Sequence, residues 1–418
     1  MTNLISYYKP CLLNLFEKLR YINKNPQKLG ALREIQETLI EKITYTESKI
    51  ALLRLRLKKL TKKLHIRRVS PGAKSESNKI KHEINSIKEK IDQYRKVRHI
   101  FRSIGDGLAF SYLSKWDIKP LCFKEDPGFI HRKKGSLIER TSLRQALDNG
   151  IPAILNDITT CLKYGDITVP TPEGKGVFVE IKSNPKRKRR TINQQASLES
   201  MATYLNTDRT TKLYGQIGDI QRRYCFEEEV VHIETLNSML SKAYHGSNQC
   251  SELEPGQYIG ILRQDNNCSF DGLKQIFDPL FRRLGRPYLI NIYEGKFDNT
   301  GYYPLTLSIK NPQAIYDLYA DKLMVILIID LDHLKKSIQK YDLSINMNLG
   351  SRVLKGTQPF KSEWFQSTVN NTFELFFFFP AFLHAIFISS LIVNFVLRVF
   401  LVFVMDPRLS LYPNVLIG

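Results

Sequence analysis

The sequence predicts an α/β protein in which a long helical hairpin precedes a mixed region of strands and helices. Three observations predict it. From Leu32 to Leu64, apolar residues such as Ile43, Ile50, Leu53, Leu57, Leu60 and Leu64 mostly recur three or four apart, the spacing of one helical face. After the turn-forming VSPGAKSES at 69–77, Ile80, Ile84, Ile87, Ile91 and Tyr94 repeat that spacing, which folds two amphipathic helices into an antiparallel coiled-coil hairpin. Beyond it, β-rich runs such as GQYIGILR (256–263), RPYLINIYEG (286–295) and the almost wholly apolar KLMVILIIDL (322–331) alternate with helical stretches, as in sheets covered by helices. The chain divides on these patterns into 1–100, the helical hairpin; 101–345, the α/β region; and 346–418, a C-terminal region.

The first arm of the hairpin ends RLRLKKLTKKLHIRR (54–68), with eight Lys or Arg and no acid. Such a run lies either against a phosphate backbone or in solvent as a coiled-coil face. The whole chain of 418 residues carries 62 Lys and Arg against 41 Asp and Glu, a formal charge of +21, which points to a polyanionic partner. Nucleic acid is the first candidate and an anionic membrane surface the second. The hairpin is also a means of forming a homodimer or docking a partner protein. Cys11, Cys122, Cys161, Cys225, Cys250 and Cys268 are too far apart for a metal clip and too sparse for a disulfide framework, so a zinc finger is not expected and a reducing cytoplasm is. MTNLISYYKPCLLNLFEKLR lacks the basic start, apolar centre and small-residue exit of a signal peptide.

Within the α/β region, IGDGLAFSYL (104–113), SLIERTSLRQALDNG (136–150) and TINQQASLESMATYLN (191–206) read as helices. Between the last two lies GDITVPTPEGKGVFVEIKS (165–183), a hairpin whose turn PTPEGKG (170–176) is centred on Glu173. Pairing about that centre sets Asp166 across from Glu180, with Cβ atoms about 5 Å apart. Alternation puts Val177, Val179 and Ile181 on the predicted core face, and Phe178, Glu180 and Lys182 on the other. Two carboxylates directly opposite each other destabilise a sheet unless something compensates them. A divalent cation does so: hard oxygen ligands at this spacing suit Mg²⁺ or Mn²⁺, which activates a water and stabilises charge on phosphorus. Lys182 is placed to orient that water or to neutralise the developing charge.

Asp166 followed by Glu180-Ile181-Lys182 resembles the PD-(D/E)XK, or restriction-endonuclease-like, nuclease superfamily. The resemblance implies an αβββαβ core, with Asp on the second strand and (D/E)-x-K on the third, and a metal-dependent nuclease, DNA being the first expected substrate. It implies that Gln194 and Gln195 on the following helix support the metal or contact substrate, and that Glu139 of the first core helix joins Asp166 and Glu180 in the metal shell. It covers about residues 136–206, and Gly165 stands where the family pattern has proline. Bacterial chains of this arrangement look like host-defence or DNA-processing nucleases. The alternative is a non-catalytic, basic coiled-coil protein with a degenerate nuclease fold, binding nucleic acid or tethering it to a membrane.

Five consecutive basic residues, Lys186, Arg187, Lys188, Arg189 and Arg190, begin four residues after Lys182 and are expected to grip backbone phosphates without reading sequence. Asp157, nine residues before Asp166, is read either as a carboxylate backing the site or, the commoner case, as ending a helix or strand. His131 is read either as a proton carrier or, the commoner case, as contacting phosphate or solvent in a basic loop. Asp330 and Asp332, after the buried strand, are read as capping a helix. No P-loop motif is present, so no ATP coupling is expected. From Leu375 to Leu397 the chain holds no Asp, Glu, Lys or Arg, longer than the roughly 20 residues that cross a bilayer. An apolar C-terminal helix over 375–405 is therefore expected, either as a membrane anchor leaving the basic bulk cytoplasmic or as a buried helix.

Overall fold

Helices α1 (Leu4–Tyr7) and α2 (Lys9–Lys24) precede the two that dominate the structure, α3 (Leu29–Arg68) and α4 (Lys74–Tyr112). The computed structural model describes residues 4–68, 74–122, 128–182, 189–223, 231–244, 248–263, 277–292 and 303–339, with the short strands 344–346, 364–368, 374–378 and 416–417. Helices α3 and α4 are the predicted hairpin. Their seam is a ladder of apolar side chains: Ile50 with Ile87 and Ile91, then Leu64 with Ile80 and Ile84 nearer the tip. Toward the base, α2 packs against both, and Leu12, Leu15, Phe16 and Leu19 are removed from water. The chain forms two compact units, Met1–Ile217 and Gly218–Gly418, so the hairpin shares a unit with the residues that follow it as far as 217.

After α5 (Lys115–Leu121) the first unit runs α6 (Ser136–Asp148), β1 (Ile154–Leu155), β2 (Ile167–Pro170), β3 (Gly176–Val179), α7 (Arg189–Thr207) and β4 (Arg209–Leu213). The first three strands form an antiparallel sheet in the order β1-β2-β3, to which β4 does not belong. The pairs Ile167–Val179, Thr168–Phe178, Val169–Val177 and Pro170–Gly176 centre the hairpin on Glu173, as the turn chemistry predicts. The edge of β1 is closed by a side chain: the buried Gln36 of α3 donates to the Ala153 carbonyl at 2.9 Å and accepts from the Leu155 amide at 2.9 Å.

The predicted faces of β3 are reversed. Val177 and Val179 are 51% and 39% exposed, while Phe178 is half-buried against Tyr164, ring centroids 6.4 Å apart. Both faces of this strand carry apolar residues, so alternation alone leaves its orientation open. The aromatic ring, with more area to bury than a valine, takes the inner side and carries Glu180 with it.

Two glycines set the backbone around the sheet. Gly105 of α4 lets the helix pass so close to the turn at Asn156–Ile158 that an added Cβ would stand 2.1 Å from the Ile158 carbonyl oxygen. Gly165 has φ +75°, which proline cannot adopt, and this accounts for the glycine before Asp166. The buried Asn156 ties the same region together: its amide donates to the Tyr164 carbonyl at 2.6 Å and the Gly165 carbonyl at 3.1 Å, and its oxygen accepts from the Thr168 hydroxyl at 2.8 Å.

In the second unit, following β5 (Gln216–Arg223), are α8 (Ile233–Tyr244), β6 (Gln249–Glu254), β7 (Gln257–Arg263), β8 (Pro287–Asn291), α9 (Leu305–Ser308), α10 (Pro312–Tyr319), β9 (Leu323–Asp330) and α11 (Leu331–Gln339). Four strands make an antiparallel sheet in the order β6-β7-β9-β8, and the central place of β9 explains its apolar sequence. Asp330 accepts from the Asp332 amide at 3.0 Å, the capping role expected of it, and also from the Arg286 amide at 3.2 Å.

The C-terminal region corrects one expectation within the described residues. Where the sequence predicts an apolar helix over 375–405, Leu375–Phe378 lies in strand β12 (Glu374–Phe378), which pairs with β11 (Trp364–Thr368), itself paired with β10 (Ser344–Asn346). A run of phenylalanines suits a pleated strand at least as well as a helix. Residues 379–405 lie outside the described residues. No helix among the described residues is long and apolar enough to cross a membrane.

Candidate active site

The loop 128–135 and the elements that follow it bring four charged side chains to one point. Arg132 takes a left-handed conformation, φ +68°, and the chain then turns Lys133 inward. Its ammonium lies 2.8 Å from Asp157 Oδ2, 3.0 Å from Glu139 Oε2 and 3.2 Å from Asp166 Oδ1. The three carboxylates come from separate places: Glu139 from the first turn of α6, Asp157 from the turn after β1, and Asp166 from the residue before β2. Glu139 and Asp157 are buried, and the Asp166 side chain is 14% exposed. Gly135 keeps room for Glu139, since a Cβ there would stand 2.9 Å from Oε1.

Asp166 links this cluster to the end of β3. Its second oxygen accepts from the Ile181 amide at 2.8 Å, and its own amide donates to the Val179 carbonyl at 2.8 Å. Ile181 stands between Glu180 and Lys182, whose side chains are paired with each other. The Lys182 ammonium also donates to Gln194 Oε1 at 3.1 Å. Gln195 turns the other way and donates to Glu199 on its own helix at 3.0 Å. Of the two glutamines, Gln194 is thus the one that reaches the hairpin. Of the basic run, Lys186–Lys188 lie outside the described residues, while Arg189 and Arg190 open α7.

The local electrostatics are unusual for so basic a chain. Four carboxylates, Glu139, Asp157, Asp166 and Glu180, face two ammoniums, Lys133 and Lys182, leaving an excess of two negative charges when all are ionised. Burial works against the charge on Lys133, but Asp157, Glu139 and Asp166 outweigh it and hold the ammonium protonated well above the usual lysine range. Burial pushes the Glu139 carboxyl upward, and the hydrogen bond from Lys133 opposes that shift.

The donors are those a hard divalent cation takes, carboxylate oxygens from rigid elements. The point where three of them meet is held by the Lys133 nitrogen at ammonium distances, longer than the roughly 2.1 Å of Mg²⁺ coordination. Among the described residues no three His, Cys, Asp or Glu side chains stand arranged to hold a metal ion. The donor set fits a divalent cation in kind but not in its present arrangement, and it would take one only if Lys133 moved away, leaving three negative charges in excess.

Asp166, Glu139, Glu180, Lys182 and Gln194 are brought together directly or through one intermediary. Asp157, in the short helical turn that follows β1, joins them through Lys133, so both readings of it hold. Lys133 has no counterpart among the residues singled out from sequence. The signal for both is local: GFIHRKKGS places lysines just ahead of the helix that carries Glu139, and Asp157 follows a strand paired to the one that Asp166 opens. His131 engages the hairpin through its backbone, its amide donating to the buried Glu47 at 2.9 Å. Compared with family models, curated proteins and solved structures, the chain matches none of them.

Proposed function

We propose that the protein is a metal-dependent nuclease, hydrolysing phosphodiester bonds in nucleic acid, with DNA the expected substrate, on a restriction-endonuclease-like core. The observation that carries it is the convergence of Glu139, Asp157 and Asp166 on one cation beside the Glu180–Lys182 pair. The order α6-β1-β2-β3-α7-β4 agrees with an αβββαβ core, although β4 is outside the three-stranded sheet. Asp166 and Glu180, with Glu139, are the residues that would hold Mg²⁺ or Mn²⁺. Such an ion, when bound, polarises a phosphoryl oxygen and lowers the pKa of a bound water. Lys182 supplies a positive charge next to the scissile phosphate, and Gln194 fixes that ammonium in place. Asp166 orients the end of β3 through the Ile181 amide, so the carboxylate of Glu180 and the ammonium of Lys182 are presented by a rigid strand end.

One observation favours a second reading. Lys133 satisfies the acid cluster without any metal, as in a degenerate site kept for its fold in a protein that only binds or tethers nucleic acid. Lys182→Ala separates the two. In a nuclease it is expected to lower cutting of circular duplex by about 10²–10³-fold in Mg²⁺ or Mn²⁺ while duplex binding is retained. If the unmodified protein binds duplex but cuts neither duplex, single strand nor RNA with any divalent metal, the tether stands and the nuclease falls.

A further inference from the structure

The arm formed by α3 and α4 is basic on both edges, and one of them leads to the loop at 128–135. Between Arg54 and Lys96 the sequence carries fifteen Lys and Arg against four acids, an excess of eleven in a chain whose total is +21. In an antiparallel helix pair, residues one step after a seam position project to the same edge on both helices, and those one step before project to the opposite edge. On the second edge Arg56 pairs with Glu83 and Lys63 with Glu76 at 3.4 Å, beside the exposed Lys59, Lys79 and Lys90. The first edge carries Arg54 and Lys58 of α3, following Leu53 and Leu57, and Lys81, Lys88 and Arg95 of α4, following Ile80, Ile87 and Tyr94. All five are exposed, and the acid set against them is Asp92, 2.8 Å from Arg95.

Lys81, Lys88 and Arg95 recur every seven residues, which aligns them along the arm at about 10 Å intervals, some three phosphate steps of one strand. This edge also leads to the candidate active site. At its base Phe129 lies between the guanidiniums of Arg54 and Arg98, 5.3 and 4.8 Å from its ring centroid. Phe129 belongs to the loop that delivers Lys133 to the acid cluster four residues later. What sets the first edge apart is its course: its cations run into a loop of the candidate site, where Arg54 stacks on Phe129.

We propose that this edge is a docking surface for the phosphate backbone of duplex nucleic acid, which it guides toward the loop at 128–135. The inference shares its partner with the proposed nuclease but none of its chemistry, so either can fail alone. The test uses the full chain in EDTA, where no cutting occurs, and a fluorescent DNA duplex of arbitrary sequence. Lys58→Gln/Lys81→Gln/Lys88→Gln is expected to weaken binding by roughly tenfold or more near physiological salt and to make the salt dependence shallower by about 2 to 3 in log–log slope. The control, Lys63→Gln/Lys79→Gln/Lys90→Gln, removes the same charge from the other edge and is expected to leave affinity within about twofold. Circular dichroism and melting of both variants show that the arm still folds, as exposed lysines allow. Equal weakening by the two triples overturns the proposal, as does unchanged duplex binding by the first. So does a first triple that loses only its binding to phosphatidylserine vesicles, which assigns the edge to a membrane surface.

Discussion

Lys133→Met is expected to destabilise the first unit markedly in EDTA and to regain most of the loss in millimolar Mg²⁺. Methionine keeps the length of the side chain and removes its charge, so three carboxylates that shared one ammonium are left facing each other. Two of them, Glu139 and Asp157, are buried. Removing one partner of a buried ion pair costs about 3–5 kcal/mol, and the 30% exposure of the Lys133 side chain puts this case near the lower end. For a unit of this size about 3 kcal/mol lowers the melting temperature by roughly 6–12 °C. A divalent cation bound at about a hundred times its dissociation constant returns some 2.7 kcal/mol. Melting curves with and without Mg²⁺ check this, and the unmodified protein, whose three carboxylates already share the Lys133 ammonium, should respond much less. A deficit that Mg²⁺ does not touch would mean that the carboxylates are shaped for an ammonium alone.

Asp166→Asn is expected to abolish metal-dependent cutting, by about 10³-fold, while leaving the fold nearly unchanged. The reason lies in the two jobs of this side chain. One oxygen accepts from the Ile181 amide, and an asparagine carbonyl can do the same, so the end of β3 stays in place. The other oxygen faces Lys133 and the shared cation position, where an amide brings no charge. A melting temperature within about 2 °C of the parent, unchanged duplex binding and lost cleavage together assign the role to charge rather than to scaffolding. Retained cleavage would remove Asp166 from the chemistry. Asp166→Ala would be a poorer test, because it also frees the Ile181 amide.

The hairpin at 165–183 was the most legible part of the chain. Turn residues and the symmetric placement of Asp166 and Glu180 about Glu173 give the register that the strand pairs display. The long helices were equally plain, because a seam repeated over many turns admits few other folds. The inner face of β3 was not legible. Val177 and Val179 compete with Phe178, and the choice depends on Tyr164, which sequence spacing cannot place. The choice between Gln194 and Gln195 depends on helical phase: adjacent residues point about 100° apart, and the phase follows from how α7 leaves the preceding loop. That Lys133 and Asp157 meet Glu139 and Asp166 at one point depends on tertiary contacts. The cluster exists because α4 passes the Asn156–Ile158 turn at Gly105, and because Glu47 on α3 fixes the loop at His131. Neither contact leaves a local pattern in the sequence.

The most direct measurement is a Mn²⁺ titration followed by electron paramagnetic resonance, on the unmodified protein, Lys133→Met and Lys133→Met/Asp166→Asn. If Glu139, Asp157 and Asp166 form a cation site from which Lys133 must withdraw, Lys133→Met binds a single Mn²⁺ per chain at least about tenfold more tightly than the parent, some 1.4 kcal/mol, and the added Asp166→Asn abolishes that binding. Equal Mn²⁺ affinity in parent and Lys133→Met, or tight binding that survives Asp166→Asn, contradicts the site.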